Sequence, residues 1–237
     1  MSLSIIIPCK NEEKTVLRTF FKIKNIIKKK IKKYEFIFIN DFSDDKTFQI
    51  LSTISKQNHN ITVINNKIKG LGNAINSGVK YSKNKYVAIM MADLSDEPTD
   101  LIKYYKLISR NNLDAVFGSR FTSQSRVVDY PVKKLIYNRI FNLMVKFIFF
   151  SKYNDFTNAF KIYKKKTLLE LKPFVSENFN IFLELPLKVI TRKKKFKIIP
   201  INWKNRKKGE SKFKVNELGS KYFFTLIYCF FEKMLLK

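Results

Sequence analysis

Residues 86–92 read Tyr-Val-Ala-Ile-Met-Met-Ala, an unbroken apolar and aromatic run. A run of that length without alternation predicts a strand buried on both faces, as inside a parallel sheet. Asp93 and Asp96 follow where the strand should end, and Pro98-Thr99 opens the next helix. The same rhythm recurs along the first half of the chain. Strands are predicted at 3–8, stopped by Pro8, and at 34–39, 61–64 and 115–118. Helices are predicted from Lys10 to about Lys29, over 47–56, from Gly70, and over 99–110. Glu12 and Glu13 fall in the first turn of the first helix, where its dipole favours acids. Five strands alternating with four helices predict an α/β fold built on a doubly wound, mostly parallel sheet. Ligands of such sheets bind beyond the carboxyl ends of the strands. The polar clusters fall there: Lys10-Asn-Glu12, Asn40-Asp41, Asp93, Asp96 and Gly118-Ser-Arg120.

Beyond residue 120 the pattern changes. A helix rich in aromatic and aliphatic residues is predicted over 133–150, and a second over 180–192 carries Glu184. Residues 154–160, Asn-Asp-Phe-Thr-Asn-Ala-Phe, read as a strand or a loop crossing the site. A strand at 196–201, a basic glycine-containing loop at 206–212 and a terminal helix over 215–236 complete the chain. No repeat or low-complexity linker interrupts it. The expected organisation is one domain over 1–212 with a C-terminal apolar extension over 213–237.

Charge narrows the partners. Lys and Arg number 47 against 19 Asp and Glu, a net charge of +28. Such a surface favours polyanions: nucleic acid, an anionic membrane or phosphorylated substrates. Lys, Ile, Asn and Phe are all abundant, as a gene biased toward AT-rich codons would give, so part of the charge need carry no function. Two distant cysteines, Cys9 and Cys229, form neither a disulfide framework nor a zinc pattern. The single histidine, His59, lies in a polar segment and leaves little material for histidine catalysis. The first residues lack a signal peptide's basic opening and apolar core. No apolar run approaches the roughly 20 residues of a bilayer span. A cytoplasmic location is therefore expected. Buried strand, acidic tip and helix together suit a divalent cation and a phosphate, although aspartates at such a tip also serve as turn and cap residues. The two glycines of Gly70-Leu-Gly72 point to close backbone approach at a helix start, which makes Gly70 a donor-side candidate.

Six segments in order resemble the family 2 glycosyltransferases, especially the polyprenyl-phosphate sugar transferases such as the dolichol-phosphate mannose synthases. They are 4–13 (Ser-Ile-Ile-Ile-Pro-Cys-Lys-Asn-Glu-Glu), 39–45 (Ile-Asn-Asp-Phe-Ser-Asp-Asp), 92–96 (Ala-Asp-Leu-Ser-Asp), 118–121 (Gly-Ser-Arg-Phe), 155–160 and 206–212. The resemblance implies a GT-A fold that transfers a sugar with inversion from a nucleotide diphosphate donor, GDP- or UDP-linked. It implies that Pro8, Asn11 and Glu12 line the donor pocket and that Asn40 and Asp41 contact the nucleobase or ribose. Asp93 would bind Mg²⁺ or Mn²⁺ on the diphosphate, with Asp96 as second ligand. Arg120, Arg139, Arg206 and Lys212 match the family's basic positions and would hold an acceptor phosphate. Asp155 and Glu184 would act as a base or orient the donor, two roles left open. The chain departs from the family where an Asp-x-Asp is usual, since Met91 takes the first position, and at 40–43, where Asn-Asp-Phe-Ser replaces Asp-Asp-Gly-Ser.

A polyprenyl phosphate acceptor is already an anion and needs positioning more than deprotonation. The helices at 135–150 and 215–236 carry dense aromatic residues with lysines nearby, which suggests peripheral contact with an anionic membrane surface on its cytoplasmic face. For the first of these helices, ordinary core packing or a dimer seam is the competing reading. Three other readings stay open. One is a family 2 enzyme acting on a cell-envelope glycan or other hydroxyl, with Asp155 as base. Another is a donor-binding protein without catalysis. The last is a nucleic-acid-binding protein, disfavoured because the basic residues form no recognised motif and acids gather at the strand ends.

Overall fold

The computed structural model describes residues 2–205 and 215–236. The first half follows the predicted alternation: β1 (Ser2–Cys9), α1 (Val16–Ile27), β2 (Lys33–Asn40), α2 (Thr47–Lys56), β3 (Ile61–Asn65), α3 (Leu71–Tyr81), β4 (Tyr86–Ile89), α4 (Thr99–Arg110) and β5 (Ala115–Ser119). Then come β6 (Arg126–Val128), α5 (Val132–Ile148), β7 (Lys161–Lys164), α6 (Lys165–Glu170), α7 (Ile181–Thr191), β8 (Phe196–Pro200), β9 (Asn202–Lys204) and α8 (Val215–Leu235). Seven strands form one sheet in the order β3-β2-β1-β4-β7-β5-β8. All neighbours are parallel except β7, which runs antiparallel to β4 and β5.

The period of two along each strand divides the core into two layers. Leu3, Ile5 and Ile7 of β1 and Phe36 and Phe38 of β2 pack with α1, α2 and α4 through Phe20, Leu51 and Tyr104. Ile6, Ile37 and Ile39 face the other way, toward Ala74 and Ile75 of α3. That second layer also takes Leu183 and Leu187 of α7 and Tyr222, Leu226 and Cys229 of α8, so the terminal helix is built into the core.

Three expectations change and one open choice is settled. Helix α1 begins at Val16, not Lys10. Asn11 adopts a left-handed backbone, and the Glu12 carbonyl accepts from the Thr15 and Val16 amides, so this segment is a turn before the helix. Strand β4 ends at Ile89, and the chain turns before the acids. Of the two readings of residues 154–160 the loop is the one found, and the strand is β7, immediately after them. Helix α8 is not uniformly apolar: it carries Lys221, Glu232 and Lys233, and Glu232 pairs with Arg192, just past the end of α7.

Candidate active site

The register puts the acidic tips on one edge. β1 pairs in parallel with β2 on one side (Cys9 opposite Asn40) and with β4 on the other (Ile6 opposite Ile89). The segments that follow β2 and β4 therefore leave the same carboxyl edge, with β1 between them. At the β2 end the polar groups are locked together. The Asp41 carboxylate accepts from the Gly70 amide at 3.0 Å and from Asn66 Nδ2 at 2.8 Å, and Asn40 donates to Asn65 at 2.9 Å. Beside them, Asn11 Oδ1 accepts from the Asp44 amide at 2.8 Å, and the Glu12 amide donates to Thr47. Pro8 is buried one residue before the strand ends. Pro8, Asn11, Glu12, Asn40, Asp41 and Gly70 thus form one neighbourhood.

At the β4 end, Asp93 Oδ1 accepts from both the amide and the hydroxyl of Ser95, at 3.0 and 2.7 Å. The turn holds Leu94 at a positive φ of 57°, a strained conformation for a branched side chain. Asp96 lies behind it, buried, with Oδ1 lacking a hydrogen-bond partner. Burial, and then the charge of Asp93, push its carboxyl up to about 7. Asp96 also bridges to Trp203 of β9, which with β6 forms a small two-stranded parallel sheet over the edge.

Arg120 follows β5. Its Nε and Nη2 donate to the two oxygens of Asp155 at 2.9 and 2.6 Å, and its own amide donates to Asp155 at 2.8 Å. Both groups are buried. Burial opposes the guanidinium's charge, but Asp155 overrides it and holds the pKa above its usual value. The guanidinium lies 5.7 Å from the ring centres of Tyr130 and Trp203. Asp93, Ser95, Asp96 and Arg120 line a cleft of about 550 Å³ together with Tyr130, Trp203, Phe179 and Phe182, Tyr137 and Phe141 of α5, and Tyr222 of α8.

The remaining candidates lie around this cleft. Arg139 stacks on Phe121 at 4.4 Å, with Nη1 buried and lacking a partner, and is not among the lining residues. Glu184 is fully buried in α7, paired with Lys188 at 2.7 Å and accepting from the Val175 and Ser176 amides. Arg206 and Lys212 lie outside the described residues. Sequence reasoning missed Tyr130, Asn138 and Trp203, which line the cleft, and Lys161, a buried lysine whose amine donates to the carbonyls of Phe156 and Asn158. Trp203 carried a signal as the only tryptophan; Lys161 carried none. Among the described residues no three acidic, histidine or cysteine side chains gather as a metal cluster.

The profile of glycosyl transferase family 2 matches residues 4–171. The dolichol-phosphate mannosyltransferase of Pyrococcus furiosus is 29% identical over 220 residues, covering 90% of this chain. The chain spans only 60% of that relative's length. An uncharacterised protein of Methanocaldococcus jannaschii is 28% identical over 179 residues, 70% of this chain and 73% of the relative. Among solved structures, glucosyl-3-phosphoglycerate synthase from Mycobacterium tuberculosis, with Mn²⁺, UDP and glucosyl-3-phosphoglycerate, aligns with a TM-score of 0.71. It covers 96% of this chain and 79% of its own, at 16% identity. The same synthase with Mg²⁺ and UDP aligns at 0.69 and 15% identity. The shared fold is GT-A.

Proposed function

The chain belongs to glycosyl transferase family 2, and on that premise we propose that it moves a sugar, with inversion, from a nucleoside diphosphate to a polyprenyl phosphate at the cytoplasmic face of a membrane. One observation carries this reading: a single cleft is lined both by the charged groups Asp93, Asp96 and Arg120 and by aromatic side chains, among them Tyr137 and Phe141 of α5 and Tyr222 of α8. A phosphate carried on a hydrocarbon tail presents both kinds of surface. The named relative from Pyrococcus furiosus and the phosphoglycerate acceptor of the structural neighbour support a phosphorylated acceptor.

The phosphate oxygen would attack the sugar's anomeric carbon as the bond to the donor diphosphate breaks, inverting that centre. Arg120 can anchor the attacking phosphate, because Asp155 fixes its guanidinium along one edge through two hydrogen bonds. Asp41, held by Gly70 and Asn66, would orient the nucleoside. Asp93 and Asp96 suit a divalent cation: both are oxygen donors, both line the cleft, and Asp96 keeps an unpartnered buried oxygen. Mg²⁺ or Mn²⁺ would neutralise charge on the departing diphosphate. The neighbours' Mn²⁺ and Mg²⁺ support that choice.

A neutral hydroxyl acceptor would need a base. Both oxygens of Asp155 are engaged by Arg120, which favours the anionic acceptor over the glycan. The test supplies radiolabelled GDP- and UDP-sugars, Mn²⁺ and membrane lipids. Label passing into the organic phase is expected; label retained in water-soluble glycan would replace the lipid reading. Salt-sensitive binding of nucleic acid without donor turnover would overturn the enzyme reading.

A further inference from the structure

Glu184 sits where neither a base nor a donor contact is possible, yet its surroundings lead to the nucleotide side of the site. Its carboxylate accepts from the Val175 amide at 2.9 Å and the Ser176 amide at 2.8 Å, and Lys188 pairs with it at 2.7 Å while donating to the Pro173 carbonyl. The loop so held presses on the start of α3. The Glu177 carbonyl accepts from the Gly72 amide at 2.8 Å and the Asn73 amide at 3.3 Å. The contact is tight: a Cβ on Gly72 would lie 1.9 Å from the Ser176 carbonyl oxygen, and one on Gly70 2.4 Å from that of Glu177. The close approach made possible by the two glycines is therefore the chain's own backbone. One step further, the Gly70 amide donates to Asp41. From the other side, Thr225 of α8 accepts from Asn180 Nδ2 at 2.9 Å and lies 3.2 Å from the Ser176 hydroxyl.

We propose that Glu184 is a positioning residue: through the 175–180 loop it braces the Gly70–Gly72 turn, and so sets Asp41 for the nucleotide, with α8 tied to the same brace through Thr225. The proposal rests on the donor reading of Asp41 given above. Bracing of this kind lowers the ordering cost of binding and acts on affinity before rate.

The test uses the full chain and three variants: Glu184→Gln, Thr225→Val and Gly72→Ala. Two readouts are taken. Amide exchange at Gly70, Gly72 and Asn73 in the ligand-free protein reads the brace directly, and is expected to quicken in all three. Titration with UDP and with GDP, each with Mn²⁺, reads its consequence. The better-bound nucleotide should weaken about tenfold, with donor KM rising and kcat nearly held. Unchanged exchange at those amides in Thr225→Val and Gly72→Ala overturns the proposal, even if Glu184→Gln fails to fold. So does faster exchange with unchanged nucleotide affinity. A fall in kcat at constant KM in Glu184→Gln would overturn it in favour of a direct catalytic role. Binding of neither nucleotide by the parent protein defeats the donor reading instead, and the exchange measurement then judges the brace alone.

Discussion

The two ends of the carboxyl edge differ in how their polar groups are employed. At the β2 end, Asp41, Asn40 and Asn11 are held by neighbours within the chain. At the β4 and β5 end, Asp96 keeps a buried oxygen without a partner, and Arg139 keeps a buried nitrogen without one. Burying such atoms costs on the order of 1–3 kcal/mol each when they stay unpaired. The first arrangement is preorganised and fixes a register. The second holds electrostatic potential that a cation or a phosphate can satisfy, which is where the proposed transfer to a phosphate would need it.

The sharpest way to break this contrast is at Asp93. If the β4 tip supplies the cation site, Asp93→Ala should lower transfer by roughly a thousandfold, since metal stabilisation is worth several kcal/mol and about 1.4 kcal/mol is one decade. Transfer from nucleotide sugar is measured across a Mn²⁺ titration. Unchanged rate and unchanged metal dependence would move the cation elsewhere. The fold should survive, because Asp93 is only half-buried on a turn.

Asp155 is expected to behave in the opposite way. Its ion pair with Arg120 is buried on both sides. Asp155→Ala strands a buried guanidinium, and breaking such a pair destabilises by about 3–5 kcal/mol. Thermal unfolding should show the loss whether or not substrate is present. Asp155→Asn keeps one acceptor oxygen and should lose less. A variant of normal stability with abolished turnover would instead make Asp155 a base and revive the hydroxyl acceptor.

How much of this was legible beforehand follows the range of the interactions. The strands up to β5 announced themselves because a strand buried on both faces is a continuous apolar run, a local property. β7 did not. Its four residues are Lys-Ile-Tyr-Lys, and Lys161 is buried only because carbonyls from the 156–158 loop and α7 surround its amine. No local pattern contains that. Gly70 and Gly72 signalled that something approaches closely, and the structure identifies it as Glu177, more than a hundred residues later. Asp93 and Asp96 stood out because they follow a buried apolar run, although that place also suits turn residues, and Asp93 does close such a turn onto Ser95. Tyr130 and Trp203 meet at 4.8 Å only through the β6–β9 pairing, a contact distant in sequence.

Lys161 sharpens the comparison from beneath the site. Burial, opposed by the charge of Asp155, lowers its pKa to about 7 from an ordinary 10.5. Between those values the unfolded chain holds the proton and the folded one has released it, so stability rises with pH across that window. Below about pH 7 both states are protonated, and the full cost of a buried charge remains. Lys161→Met should therefore gain more stability at pH 6 than at pH 9. The loss of the carbonyl hydrogen bonds is common to both and cancels in the difference. A difference of a few kcal/mol is expected, at about 1.4 kcal/mol per pKa unit, and each kcal/mol moves Tm by about 2–4 °C in a chain of this size. Equal effects at the two pH values would mean that the amine stays charged, held by Asp155 and Asp96.

The smallest expected effects lie on the exposed faces of α5 and α8, and there the structure changes the experiment. No helix among the described residues is long and apolar enough to cross a membrane. Deleting 222–237 would remove Tyr222, Leu226 and Cys229 from the core, so lost vesicle binding would mean little. The exposed stripe of α8 is separate: Phe224, Tyr228, Phe231 and Leu235 recur at helical spacing and face outward. On α5, Val132, Ile136, Ile140, Leu143 and Phe147 do the same. Phe224→Ser and Phe231→Ser should each weaken sedimentation with anionic vesicles by roughly tenfold, the equivalent of about 1.4 kcal/mol and somewhat less than full burial of a large apolar side chain. Thermal stability should not change. Added salt should weaken binding further by screening the lysines nearby, but should leave the ratio between parent and variant nearly constant, because the aromatic contribution is not electrostatic. Vesicle binding indifferent to both phenylalanines would leave the stripes to another partner, and would remove the support that a membrane contact lends to a lipid acceptor.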